Sequence, residues 1–451
     1  MSDIIAAIAT GRAPCAIGIL RLSGPGCAAL TGRVFTPKQP FADAPDRRLV
    51  LGLLHDRQGR VIDECLGVVC RAPHSYTGEE TVELQCHGSP AMLAAGLEAL
   101  LAAGARQAGP GEFTRRAFLN GKLDLTQAEA VVDLIDAETA DAAANAAGQL
   151  GGALKRAIGP VYDGLTDLCS HFHAVLDYPD EDIEDFGAAE LSGALDRAET
   201  SLRELLATYE KGRHLRQGVR AVLLGKPNAG KSSLLNRLAG YDRVIVTDIA
   251  GTTRDTVEEP VRVGRVLLRL TDTAGIREAG DAIEALGVAR SEQAAREAEL
   301  ALFVCDASQP LTDEDRRAIE AAKCAPRSLA LCNKSDLPAA VSPDELPFDT
   351  VLTVSARTGA GLDALPALLE GWFLGGNACD GSLLTNPRQF GALDRASRAI
   401  ARAKTGLGLG VTPDAVLTDV EEAMAALGEV TGRTVREDIT NRIFERFCVG
   451  K

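Results

Sequence analysis

The sequence has no apolar run long enough to cross a bilayer. The segment Ile4 to Thr10 is apolar but short, and no basic stretch precedes it, so it reads as neither a signal peptide nor a membrane span. A cysteine framework is also missing. The 11 cysteines are odd in number and scattered without a CxxC pair; Cys65 and Cys70 are the closest two, and no histidine cluster accompanies them. This argues against a disulfide scaffold and a structural zinc site, and predicts reduced, mostly buried thiols. Positive charge is in deficit. With 48 Lys and Arg against 63 Asp and Glu, the net charge is −15. Such a chain will not coat nucleic acid non-specifically, because phosphate contacts need Lys and Arg; a local basic face stays open. The expectation is a soluble, cytoplasmic protein with no membrane partner.

What is present is a normal globular balance, 46% hydrophobic and 25% charged, spread over 451 residues. That length predicts two or three domains. Residues 1–118 carry short β-rich runs at Ala16–Leu20, Val61–Ile62, Leu66–Cys70 and Val82–Gln85, and a helix over Ala91–Ala103, which reads as an α+β domain. Residues 119–215 turn Ala-rich and helical: Leu191, Leu195, Ala198, Leu202 and Leu205 recur at spacings of three and four, marking one buried stripe. The acidic run Asp177 to Asp185 reads as a solvated linker.

Residues 216–375 alternate strands and helices. The strands are predicted at Val219–Leu224, Val266–Leu270, Ala301–Cys305, Ser328–Cys332 and Val351–Val354, a pattern that gives a mostly parallel sheet with helices on both faces. Residues 376–451 are helical again. Thr412-Pro413 reads as an N-cap followed by proline at the first helical position. Val416, Val420, Ala423 and Leu427 keep helical spacing, and Ile439, Ile443 and Phe447 suggest another stripe. The order predicts a multidomain chain: an N-terminal α+β domain, a discontinuous α-helical domain and an α/β domain inserted into it.

The inserted region holds the chemistry. Gly225-Lys-Pro-Asn-Ala-Gly-Lys-Ser232 matches G-x-x-x-x-G-K-S between a predicted strand and the helix Ser233–Leu238. The backbone N–H groups of Asn228, Ala229, Gly230, Lys231, Ser232 and Ser233 can wrap phosphates at a helix N-terminus. Lys231 would reach the β- and γ-phosphates and the Ser232 hydroxyl would bind Mg²⁺. Asp272, Thr273, Ala274 and Gly275 end a strand, where the carboxylate can hold magnesium through water and Gly275 can meet the γ-phosphate. Thr252 and Thr253 lie in the place of a switch threonine that adds a hydroxyl to the metal. Asn333, Lys334 and Asp336 follow the fourth strand of this region; Asp336 can accept from guanine N1–H and its amino group, which selects GTP over ATP. Ser355, Ala356 and Arg357 follow the fifth, where a backbone N–H can meet the guanine carbonyl. Five elements in order, each at a strand end, resemble the translation-factor-like GTPases. The position after Gly275 is Ile276, where signalling GTPases keep a glutamine that orients water; either hydrolysis is very slow or another residue takes that role.

Two strings narrow the resemblance. Gly225 to Ser232 and Thr247-Asp-Ile-Ala-Gly-Thr-Thr-Arg-Asp255 are similar to the TrmE–Era group. Gly18 to Ser23, Ser75-Tyr-Thr-Gly-Glu79, Val82 to Gln85, Gly109 to Lys122, Leu123 to Ala130 and the closing Phe447-Cys-Val-Gly-Lys451 resemble the MnmE (TrmE) family, so the likeness covers nearly the whole chain. It implies a homodimeric, potassium-activated GTP hydrolase that works with the flavoprotein MnmG (GidA), as a heterotetramer, to place a carboxymethylaminomethyl or aminomethyl group on the wobble uridine of tRNA. Carried over, the GTP site also takes in Thr247, Asp248, Ile249, Ala250 and Gly251. K⁺ would be held by Asn228 with the carbonyls of Thr247, Ile249 and Thr252, Mg²⁺ by Ser232 and Thr253, and Glu284 in Ile283-Glu284-Ala-Leu-Gly287 would position the water. The N-terminal domain would dimerise and hold a tetrahydrofolate derivative, 5-formyl- or methylene-tetrahydrofolate, through Arg21, Glu83, Lys122 and Lys451; without the resemblance Arg21 and Lys122 read as surface charges. Cys448 is either a catalytic thiol or a small residue packed by the last helix. Cys86 departs from the family's Gly-His-Gly at Cys86-His87-Gly88, which puts a role for His87 in doubt. Arg213, Arg216 and Arg220 read as a solvated linker or as tRNA contacts. No dinucleotide fingerprint is present, so flavin is not expected on this chain. A ribosome-assembly GTPase of the Era or Der type would add a KH-type module or a second G domain. A GTP-dependent switch with a folate-like docking domain would turn over slowly and ignore potassium.

Overall fold

The computed structural model describes residues 3–11, 13–177, 188–241, 258–272, 292–375, 380–434, 440, 443–445 and 447–450. The chain divides into two compact units: residues 1–132, 149–198 and 395–451 form one, residues 133–148 and 199–394 the other.

The first unit is built on a seven-stranded sheet of β1 (Ile5–Ile8), β2 (Cys15–Ser23), β3 (Phe35–Pro37), β4 (Val50–His55), β5 (Val61–Cys70), β6 (Thr81–Gly88) and β7 (Arg106–Gln107), ordered β3-β4-β5-β6-β2-β1-β7. Neighbours are antiparallel except β1 and β7. Alternation decides which face is inside. Leu20 and Leu22 of β2 and Val82, Leu84 and Cys86 of β6 are buried. After the short helix α1 (Cys27–Thr31), helix α2 (Pro90–Ala102) lays Leu93 and Leu100 against them. Each fully buried leucine contributes about 1.5–3 kcal/mol. Gly18 lets this packing close, since a Cβ there would come within 2.5 Å of Leu93 Cδ1. The two strands expected at Val61–Ile62 and Leu66–Cys70 are one strand, β5; the charged pair between them, Asp63 and Glu64, stays in register with Leu54 and Leu53 of β4.

In chain order come helices α3 (Glu112–Leu119), α4 (Leu125–Ile135), α5 (Ala140–Leu150), α6 (Ala153–Asp177) and α7 (Ala188–Leu206), of which most of α5 and the end of α7 belong to the second unit. Asp124 starts α4: its Oδ1 accepts from the Gln127 N–H (2.9 Å), while Gln127 Oε1 accepts from the Asp124 N–H (3.0 Å). This reciprocal cap satisfies two donors that a helix end leaves open. In α7, Leu191, Leu195, Ala198 and Leu202 are buried as their spacing predicts, and Leu205 is half-buried.

The second unit carries α8 (Tyr209–Gln217) and a six-stranded sheet of β8 (Val219–Leu224), β9 (Glu258–Val263), β10 (Val266–Asp272), β11 (Leu300–Asp306), β12 (Arg327–Asn333) and β13 (Val351–Thr353), ordered β13-β12-β11-β8-β10-β9. Its helices are α9 (Lys231–Tyr241), α10 (Asp313–Ala322) and α11 (Ala364–Phe373). All pairings are parallel except β9 with β10. The central strands are apolar on both faces. Ala221, Leu223, Leu302, Val304, Leu329 and Leu331 join one core, and Val222, Leu224, Phe303, Cys305, Ala330 and Cys332 join the other. Leu234 and Leu365 cover the first core, and Ile319 covers the second. Strand β9 was not anticipated. Its Glu-Glu-Pro start does not read as a strand, but an edge position tolerates proline.

Helices α12 (Pro387–Gly408) and α13 (Pro413–Thr431) complete the fold. Thr412 is the N-cap of α13 but makes no side-chain cap bond, and Val416, Val420, Ala423 and Leu427 are buried. The last stripe differs from expectation. Ile439 lies outside the described residues, and Phe447 sits at a bend. Phe444 and Phe447, with Ala128 and Val131, make the buried cluster, and Ile443 is only half-buried. The chain is multidomain, with an N-terminal α+β domain, a discontinuous α-helical domain and an inserted α/β domain. No helix among the described residues is long and apolar enough to cross a membrane.

Candidate functional site

The loop after β8 is shaped by three unusual backbone positions. Gly225 has φ +143°, Asn228 +61° and Gly230 +97°. At Gly225 a Cβ would strike the Val304 carbonyl of β11, and at Gly230 it would strike the Asn333 amide nitrogen, so glycine is required at both by neighbours as well as by conformation. Asn228 is a residue type that tolerates the left-handed region, and it is exposed. Lys231 opens α9, and its Nζ donates to the carbonyls of Gly225 (2.7 Å) and Lys226 (2.8 Å). Lys231 and Ser232 line a small cleft with Leu223, Leu235, Leu270 and Thr271. Asp272 ends β10 in register with Leu223 of β8, which sets it beside this loop at the carboxyl end of the sheet.

Asn333 ties the loop to the rest of the site. It is buried, its Nδ2 donates to the Ala229 carbonyl (2.9 Å), and its Oδ1 accepts from the Ala356 N–H (2.9 Å). Asn333, expected from sequence among the nucleotide contacts, also clamps two loops together. Lys334, at φ +66°, reaches back to Asp306 Oδ2 (2.6 Å). Burial alone would raise the Asp306 carboxyl, but Lys334 and Ser308 hold it below its ordinary value. Asp336 accepts from the Ser355 hydroxyl (2.5 Å) and from Arg357 Nε (2.9 Å) and Nη2 (2.5 Å). The Ser355 hydroxyl, then Arg357, hold its carboxyl below the usual range. The site thus sits at the carboxyl ends of parallel strands, where open α/β sheets bind ligands.

Two features were not found from sequence. Asp306 is the register partner of Asn333, a relation visible only once β11 and β12 pair. Lys226, a variable position of the phosphate-loop pattern, donates to the buried Asp315 (2.8 Å), which with Thr312 forms the capping box of α10. Residues 209–217, with Arg213 and Arg216, form helix α8 instead of a solvated linker. Arg213 pairs with Glu299 (2.5 Å) and Arg216 with Asp133 (2.8 Å), and the Arg220 N–H donates to Glu299 (3.1 Å). Thr247, Asp248, Ile249, Ala250, Gly251, Thr252, Thr253, Thr273, Ala274, Gly275, Glu284, Lys451 and the run 178–185 lie outside the described residues.

In the first unit, Arg21 of β2 and Glu83 of β6 are register partners and form an ion pair (Nε to Oε1, 2.8 Å). Arg21 Nη1 also donates to the Gly450 carbonyl (3.1 Å), and its guanidinium lies 5.8 Å from the Phe113 ring centre and 6.0 Å from that of Tyr76. Its side chain is only 19% exposed, so it is no free surface charge. Lys122 instead donates to the Pro73 carbonyl (3.1 Å). Cys448 is exposed, not packed away, and its carbonyl accepts from Gly111 (3.3 Å). Cys86 is in strand β6 and faces the core, so it costs no loop freedom; its neighbour His87 is exposed and held by Asp63 through Nδ1 (2.7 Å) and its backbone N–H (2.8 Å). The ten described cysteines are free, and six are buried. No group of three metal-ligating side chains occurs among the described residues.

Comparison with known proteins matches this layout end to end. The family described as MnmE helical domain matches residues 125–448, and that described as GTP-binding protein TrmE N-terminus matches residues 4–122. The tRNA modification GTPase MnmE of Roseiflexus sp. (strain RS-1) is 45% identical over 465 residues, covering 100% of this chain and 99% of the relative. That of Chloroflexus aurantiacus is 43% identical over 457 residues, and that of Aquifex aeolicus 41% over 454, both covering 100% of each chain. With both regions matched and relatives aligned over their whole length, the chain belongs to the MnmE (TrmE) family of tRNA modification GTPases.

Proposed function

We propose that this protein is a cytoplasmic, potassium-activated GTP hydrolase that acts with a flavoprotein of the MnmG (GidA) type, as a heterotetramer, to install a carboxymethylaminomethyl or aminomethyl group at carbon 5 of the wobble uridine of tRNA. The observation that carries the nucleotide part is the convergence of Lys231, Asn333, Asp336 and Ser355 at one end of the parallel sheet. Residues 1–118 are the folate-binding and dimerisation domain, 119–215 and 376–451 the helical domain, and 216–375 the G domain.

The described residues of the nucleotide loop suit the groups this reading needs. The N–H groups of residues 228–233 hold phosphates, and Lys231 adds a charge within the same loop. Ser232, exposed at the start of α9, and Thr253 would hold Mg²⁺; Asn228 and the carbonyls of Thr247, Ile249 and Thr252 would hold K⁺. Bound there, the two cations offset the charge that develops on the transferred phosphoryl group. Glu284 orients the attacking water. Asp336 reads the base edge, and Asn333, which accepts from the Ala356 N–H, holds the neighbouring loop. Arg21, Glu83, Lys122 and Lys451 hold 5-formyl- or methylene-tetrahydrofolate: the pair at β2 and β6 suits a ring with both donors and acceptors, and Tyr76 and Phe113 offer aromatic walls. The exposed Leu49, Leu51 and Leu53 beside and along β4 support a homodimer, because a row of apolar side chains on one sheet face needs a cover.

The test is nucleoside mass spectrometry of bulk tRNA from the source cell lacking this gene. Loss of C5-aminomethyl-type wobble uridines, restored by the wild type and not by Asp272→Ala, is the expected result. An unchanged profile would end the modification role and leave the GTPase reading standing.

A further inference from the structure

The carboxylate expected to read guanine is already engaged. Asp336 Oδ1 accepts from Ser355, and Oδ2 accepts both Nε–H and Nη2–H of Arg357. A carboxylate offers about four acceptor positions, so three are taken. Guanine brings two donors, N1–H and the C2 amino group, and needs two positions. Those two donors flank one carbon, as the two Arg357 donors do. Arg357 is 73% exposed on its side chain, whereas Asp336 is only 14% exposed. The arginine can therefore leave into solvent at little cost, while the carboxylate stays fixed by Ser355. The Arg357 carbonyl also accepts from Arg237 of α9 (3.2 Å), which anchors the backbone while the side chain moves.

We propose that Arg357 is an intramolecular stand-in for the guanine edge: it holds Asp336 oriented until the base enters and displaces it. This rests on the guanine-nucleotide reading above. It makes Arg357 a positioning residue that lowers apparent affinity, not one that adds a contact to the base. An exposed ion pair contributes little, so the effect on binding is at most about fivefold.

The experiment is stopped-flow binding of ribose-labelled fluorescent GDP and GTP to the full chain and to Arg357→Met and Arg357→Lys. Removal of the fork should raise association rate and affinity about three- to fivefold. The gain should be equal for GDP and GTP and independent of Mg²⁺, because it arises at the base. Lysine, a point charge without the fork, should give a smaller gain. Unchanged or weaker binding by the Met variant would overturn the proposal. So would a gain confined to GTP. Wild type that takes up labelled ADP as readily as GDP would remove the guanine reading itself, and this proposal with it.

Discussion

Replacing Gly230 with alanine should cost much less in an Asn333→Ala background than in the wild type. Two separate effects act at Gly230. Its φ of +97° disfavours any side chain, a strain of about 1–3 kcal/mol. Its Cβ would also overlap Asn333 Nδ2. Since the loop is pinned at Gly225 against Val304, the amide is the part that yields. It then gives up its bonds to the Ala229 carbonyl and the Ala356 N–H. Each buried group left without a partner costs about 1–3 kcal/mol. Asn333→Ala loses the same two bonds directly, so in that background only the backbone strain remains to be added.

The assay is the GDP dissociation constant of the four proteins in a double-mutant cycle. Affinity suits this chain better than unfolding, because a multidomain protein need not unfold in one step. Each single variant should weaken GDP binding by at least about tenfold, the equivalent of about 1.4 kcal/mol. The double variant should bind within about threefold of the worse single one. Free energies that add to within about 0.5 kcal/mol would show that the two sites are independent, and the clamp argument would fail.

Three further outcomes are expected. Glu299 is pushed up by burial, but His214 and Arg213 pull it down to about 2 from an ordinary 4.5; a depressed acid loses its stabilisation as pH falls through its folded value, so the melting difference between wild type and Glu299→Gln should shrink as pH falls below about 4.5 and vanish towards pH 2. Leu51→Asp, at a residue 56% exposed on β4, should leave the fold intact and shift the sedimenting species from dimer to monomer; an unchanged mass would place the dimer contact elsewhere. Arg21→Ala removes the partner of Glu83 and the contact to Gly450, so calorimetric binding of 5-formyl-tetrahydrofolate should weaken at least tenfold while GDP binding stays unchanged; equal folate affinity would make the pair structural.

The phosphate loop was legible because its chemistry is local. The glycines, Lys231 and Ser232 are contiguous, and strand–loop–helix order around them follows from apolar patterning alone. The central strands were equally readable, since burial on both faces gives unbroken apolar runs such as residues 300–305 of β11. Edge elements were not. Strand β9 opens with Glu-Glu-Pro, and β4 has its apolar residues on both faces because one face is left uncovered. The pairings that set the base end of the site were also hidden. Asp336 and Arg357 are 21 residues apart, and nothing in the string says that they pair. Arg21 meets Glu83 and Gly450 only after β2 and β6 pair and the chain terminus returns to the sheet.

The glycines of the phosphate pattern show why the motif carried so far. Taken alone, Gly225 and Gly230 are explained by a loop that must wrap an anion. In the fold they answer a second demand, because Gly225 lies on the Val304 backbone and Gly230 on the Asn333 side chain. Asn333 belongs to a different motif, more than a hundred residues further along the chain. One glycine therefore serves the phosphate end and makes room for the residue that organises the base end. A substitution that only strained the loop would affect GTP and GDP through their phosphates. One that also displaces Asn333 must loosen the Ala356 N–H and so weaken recognition of the base. Gly230→Ala should accordingly reduce the preference for GDP over ADP as well as the affinity for both, whereas a variant confined to the phosphate end, such as Ser232→Ala, should lower affinity and leave the base preference where it was.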